Sequence, residues 1–150
     1  MKYVKFDHKA RNIISIKKKD YPNFLNILLK HTDTVCFTAS PYLDDIQELQ
    51  DDIRYEKIME SYIDSEFTAS IHTEKCKESL VYFKLEYYIR EFLKEKEDIF
   101  DFYDEEAAIN LEDVVFIWEE NIVCDTITHE QYCAVTDELL LEIENKIKID

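Results

Sequence analysis

The sequence predicts an α+β (or mixed α/β) fold in a single domain spanning residues 1–150, with about six short strands and four or five helices around an apolar helix near residues 75–97. Three observations predict it. The 150 residues are 46% hydrophobic and 13% aromatic, enough for one core of ordinary size. Short apolar runs with two-residue alternation interleave with runs of three-to-four spacing. No internal repeat, low-complexity tract or linker marks a second domain.

Each element has its own signal. Val4 and Phe6 alternate with Lys5, and Ile14 and Ile16 flank Ser15, so residues 3–6 and 12–17 read as strands, joined as a hairpin across Asp7 to Arg11. Asp20-Tyr21-Pro22 opens a helix, with proline near its first turn and Phe24, Leu25, Leu28 and Leu29 at helical spacing up to His31. Thr34 to Thr38 reads as a buried strand. Ser40-Pro41 predicts a second helix start, favoured at the positive dipole end by Asp44 and Asp45. Its stripe runs through Ile46, Leu49 and Ile53, slips near Tyr55 and resumes at Ile58, Tyr62 and Ile63, as one bent helix or two.

Phe67 to Thr73 has strand composition. The longest helix is expected from about Lys75 to Glu97, because Leu80, Val81, Phe83, Leu85, Tyr87, Tyr88, Ile89, Phe92 and Leu93 cover more than half its circumference. Val114 to Trp118 and Ile122 to Ile127 are the clearest strands, a hairpin across Glu119-Glu120-Asn121. Thr128-x-x-Gln131 resembles a capping box, ahead of a terminal helix carrying Tyr132, Val135, Leu139, Ile143 and Ile147. Glycine is absent, so helix ends are expected to use polar residues in the left-handed conformation, as near Asn110 and Asn145.

That absence also excludes the glycine-dependent phosphate loops and the nucleophile elbow. No Cys–His or Ser–His dyad stands out among His8, His31, His72 and His129. Neighbouring acids such as Glu119 and Glu120 point to opposite faces of a strand, so adjacency is no sign of a catalytic pair. Cys124-x4-His129-x3-Cys133 brings zinc-type ligands close in sequence, but no fourth ligand is evident and the spacing matches no common zinc signature. The expectation is no metal, no cofactor and no catalytic residue. The amino terminus lacks an apolar run for export, no stretch is long and apolar enough for a membrane, and Cys36, Cys76, Cys124 and Cys133 are scattered as reduced thiols. A cytoplasmic protein without membrane contact is expected.

Charge carries the functional expectation. With 34 acids against 18 Lys and Arg the net charge is −16, which disfavours direct binding to nucleic acid. The chain is polarised: residues 1–31 hold eight Lys or Arg against two acids, and from Glu97 to Asn145 sixteen acids occur without one Lys or Arg. A block of one sign carries self-repulsion that solubility does not require. Lys17-Lys18-Lys19 lacks a stacking platform and reads as an edge guard. The acidic block reads either as a solvated face or as a docking surface for a basic protein. In the second case the expected contact residues are Asp101, Tyr103, Asp104, Glu105, Glu106, Glu112, Asp113, Trp118, Glu119 and Glu120, acids interleaved with aromatic anchors. The expected activity is non-enzymatic: an inhibitor or immunity protein that fills the cationic cleft of a nuclease toxin. The alternatives are a phage or viral nucleic-acid mimic that blocks a host defence or DNA-binding protein, and a small enzyme of unrecognised type. Self-association is left open.

Overall fold

The computed structural model describes residues 1–8, 11–41, 43–64 and 80–147. Among these, eight strands form one sheet: β1 (Lys2–Phe6), β2 (Ile14–Ile16), β3 (Thr34–Ser40), β4 (Tyr62–Ile63), β5 (Leu80–Lys84), β6 (Asn110–Trp118), β7 (Asn121–Ile127) and β8 (Tyr132–Val135). Four α-helices accompany them: α1 (Tyr21–Lys30), α2 (Gln47–Gln50), α3 (Tyr87–Lys94) and α4 (Asp137–Lys146). The class is mixed α and β as expected, and the expected six strands are two too few. Strand order is β2-β1-β8-β7-β6-β3-β5-β4, with only β1 and β2 parallel.

The main core lies between one sheet face and the helices. Val35, Phe37, Val81, Phe83, Val114 and Phe116 meet Phe24, Leu28, Ile89, Leu93 and Ile143 there, all fully or almost fully buried. Cys36, Tyr82, Val115 and Ile117 form a second buried cluster on the opposite face. Central strands buried on both faces read as continuous apolar runs, which is why Thr34 to Thr38 and Val114 to Trp118 are legible in the sequence. In β6 a bulge at Asp113 (φ 54) shifts the register against β3, so that Leu111 and Val114, three apart, both reach the core. The turn from Trp118 to Asn121 places Glu119 and Glu120 at φ 46 and 70, the left-handed pair of a two-residue hairpin.

Several expectations are overturned. β1 and β2 are parallel neighbours, Val4 opposite Ile14, and no hairpin joins them. Asp7 and Asn12, between the two strands, adopt positive φ. Ser40 ends β3, and the next helix starts only at Gln47. The stripe from Ile46 to Ile63 breaks into the short α2, a 3-10 turn at Ile58–Ser61, and β4. Carboxylates cause the break: Asp45 accepts from Gln47 N at 2.9 Å and Asp52 from Arg54 N at 2.9 Å, closing local turns in place of helical bonds. Ile53, expected to be buried, is 85% exposed.

Residues 80–84 are a strand within the expected long helix. Leu80, Val81, Tyr82 and Phe83 satisfy either period, and pairing with β3 decides for the strand. The helix that remains, α3, starts after Glu86. Thr128 and Gln131 bracket a turn to β8, and the terminal helix starts later, at Thr136, whose hydroxyl accepts from Leu139 N at 3.3 Å. Tyr132 and Val135 therefore lie in a strand. No described helix end uses a left-handed residue: Asn110 opens β6 and Asn145 sits inside α4, while positive φ is confined to loops, turns and the bulge. The expected strand at Phe67 to Thr73, and residues 75–79 of the expected long helix, lie outside the described residues.

Candidate functional site

The expected docking residues do not form one face. Asp101, Tyr103, Asp104, Glu105 and Glu106 are exposed in the loop between α3 and β6, whereas Trp118, Glu119 and Glu120 lie at the far end of β6. The eight strand steps from Asn110, which anchors the loop at Asp104, to Trp118 span about 25 Å. Glu112 is buried and Asp113 half-buried. Asp113 exchanges two hydrogen bonds with Thr128, donating its backbone N–H to the threonine hydroxyl and accepting Thr128 N–H at 2.7 Å.

Part of the acid density in the loop has a folding role. Asp98 accepts from Phe100 N at 2.7 Å, Asp101 from Glu97 N at 3.0 Å, and Asp104 from Glu106 N at 3.0 Å. Buried Asn110 clasps Asp104 from both sides, its amide donating to Asp104 O and its side-chain carbonyl accepting Asp104 N–H. In a chain without glycine, side-chain acceptors close these turns. Glu95 and Glu105 make no such bond among the described residues, and so present free carboxylates.

This loop closes a cleft of about 720 Å³ against α3 and the segment Arg54-Tyr55, with Asp101, Asp104, Glu105 and Glu95 on its rim. Its wall is aromatic: Phe92 and Phe102 pack at 6.1 Å, and Tyr55 meets Phe92 edge-on at 6.2 Å. Two cations lie on these rings. The Arg54 guanidinium sits 4.7 Å from the Tyr55 ring centre, and the Lys96 ammonium 4.7 Å from Phe92 and 5.5 Å from Phe102. Arg54 is anchored by Asp52 at 2.9 Å and donates to Ile109 O, and that pairing holds the Asp52 carboxyl below its ordinary value. A second cleft of about 490 Å³ shares Arg54, Phe92 and Glu95 and is lined by Ile53, Tyr87 and Tyr88. Tyr87 is 66% exposed and Tyr103 56%. Exposed aromatics beside six carboxylates and three cations make a mixed face that is net negative.

Sequence reading misses the α3 half of this face, because Tyr87 and Tyr88 read as part of an apolar helix. The available signal is Tyr88, Glu91 and Glu95, which fall on one helical stripe and mix an aromatic with acids.

Behind Tyr103, His129 meets its ring edge-on at 5.6 Å and pairs with Glu112 at 3.2 Å. Glu112 is buried, and its other carboxylate oxygen and the hydroxyl of Thr38, directly across the ladder, have no hydrogen-bond partner among the described residues. Burial pushes the Glu112 carboxyl above its ordinary value; Asp113 adds to this, and His129 opposes it. The Cys124 and Cys133 thiols, 3.7 Å apart, lie in the core, so the sequence trio with His129 is not assembled. Among the described residues no three metal-ligating side chains converge, and no helix is long and apolar enough to cross a membrane. No protein-family model, curated protein or solved structure matches the chain.

Proposed function

We propose that this protein is a non-enzymatic binder of a basic protein, acting in the cytoplasm as an inhibitor or immunity protein that covers the cationic cleft of a nuclease toxin. The observation that carries the reading is the pair of adjoining clefts, in which exposed Tyr87, Tyr88 and Tyr103 stand among free carboxylates. Nuclease clefts are cationic because they hold phosphate backbones, and an anionic face complements them while aromatic side chains supply the desolvated anchors. The docking surface is thereby assigned to residues 101–105 together with the exposed side of α3. Trp118, Glu119 and Glu120 fall on a separate surface.

The test is capture of partners from the source organism by the tagged protein, beside a variant carrying Glu95→Lys and Glu105→Lys. A basic nuclease held by the parent, lost by the variant and silenced by an equimolar amount of the parent supports the reading. A partner held equally by both proteins, or turnover by the purified protein itself, overturns it.

A further inference from the structure

We infer that the cleft beside Tyr103 is a receptor for one arginine or lysine side chain of the partner, and that Lys96 occupies that seat in the unbound protein. The inference rests on the cation-binding reading above and deepens it. Lys96 follows the last turn of α3, its backbone N–H donating to Leu93 O at 3.3 Å, and its side chain folds back over two phenyl rings. Lysine ordinarily extends its strongly hydrated head into water or onto a carboxylate. Here the half-buried Lys96 makes no ion pair among the described residues, although Glu95, Asp101, Asp104 and Glu105 line the same cleft. The ammonium is held by ring faces inside a negative rim, which is how a protein recognises a cationic ligand.

Arg54 repeats this chemistry on Tyr55, but its carboxylate partner and its bond to Ile109 O make it a fixed part of the wall. Lys96 has a four-carbon stem and no such anchor, so it can swing out as a partner's cation enters. A cleft of about 720 Å³ lies within the ordinary range of ligand sites and leaves room for that exchange. An internal cation that must leave acts as a competitor, and its removal strengthens binding. The sign is opposite to that expected of a residue that merely supports the fold.

The test titrates a hexaarginine peptide into the parent, Lys96→Met and Lys19→Met, at low ionic strength, by calorimetry and by NMR of the aromatic rings. Lys19 is exposed in the 3-10 turn Lys18–Asp20 ahead of α1, makes no ion pair among the described residues and lines neither cleft, so its loss changes net charge equally while leaving Lys96 seated. Lys96→Met keeps the stem and removes the charge. The expected result is affinity about threefold to tenfold tighter for Lys96→Met, less than about twofold for Lys19→Met, and peptide-induced shifts at Phe92 and Phe102. Equal gains in the two variants would leave only general electrostatics and overturn the seat, while the acidic face stands. Absence of binding to all three proteins would overturn the cation-binding reading itself, and the seat with it.

Discussion

Glu112 shows how burial rewrites a surface expectation. As one acid among many it reads as part of a docking rim, yet its carboxyl is buried and held above its ordinary value, first by loss of water. Folding therefore disfavours its ionised form. The penalty appears as pH rises through the unfolded carboxyl value, near about 4.3, and remains at neutral pH. Glu112→Gln, which cannot ionise, is expected to exceed the parent in urea-denaturation stability at pH 7, with the difference vanishing below about pH 4. A constant difference at both pH values would contradict this. Tyr21 carries the opposite kind of role: buried in α1, it donates its hydroxyl to Leu93 O at 3.3 Å and ties α1 to the end of α3. Tyr21→Phe is expected to lower stability by about 1 kcal/mol, read in the same denaturation experiment.

Among the elements, the β6–β7 hairpin is readable from Val114 to Ile127, because its strands are strongly apolar and its turn is short. Its turn chemistry is nevertheless unusual. Glu119 and Glu120 adopt the left-handed conformation that Asn-Gly favours, and Asn121 steadies the turn by donating its amide to Glu119 O at 2.9 Å. Replacing Glu119-Glu120 by Asn-Gly is expected to raise stability by about 1 kcal/mol, with Trp118 fluorescence reporting the unfolding midpoint. No gain would mean that the two glutamates already occupy this turn without conformational cost. The terminal helix is expected several residues too early: Tyr132 to Val135 carry apolar residues at both helical and strand spacing, and only pairing with β1 and β7 settles the choice.

The charge of −16 is carried by the molecule as a whole, and folding brings acids closer together than the extended chain does. Raising salt from about 10 mM to about 200 mM is therefore expected to raise Tm by a few degrees, since the screening length shrinks across that range. A flat or falling Tm would show that the acids are already neutralised by local pairs. The cations gather elsewhere: Lys2, Lys5, Lys17, Lys18 and Lys19 belong to or flank the edge strand β2 and its neighbour β1, with Lys18 close to Asp98 at 3.4 Å. For the docking face, Glu95→Lys with Glu105→Lys is the clean reversal, because the Asp104 carboxylate also closes the loop by accepting from Glu106 N. It is expected to slow association with a basic partner about tenfold while changing dissociation less.

Composition and local pattern were enough for the α and β class, for α1, for the apolar strands β3, β6 and β7, and for the polarity of charge along the chain. These follow from side-chain periodicity, proline placement and residue counts, which act within a few positions. The parallel β1–β2 edge, the strand identity of Leu80–Lys84 and the sheet order depend on partners far away in the chain, and ladder pairing decides them. The site divides in the same way. Its acids were visible at Asp101 to Glu106, but strand β6 carries Trp118 away from them, while α3 and the Arg54-Tyr55 turn, from more than forty residues earlier, supply the aromatic wall. A binding face is a property of surfaces brought together by the core, and burial decides which charges remain outside.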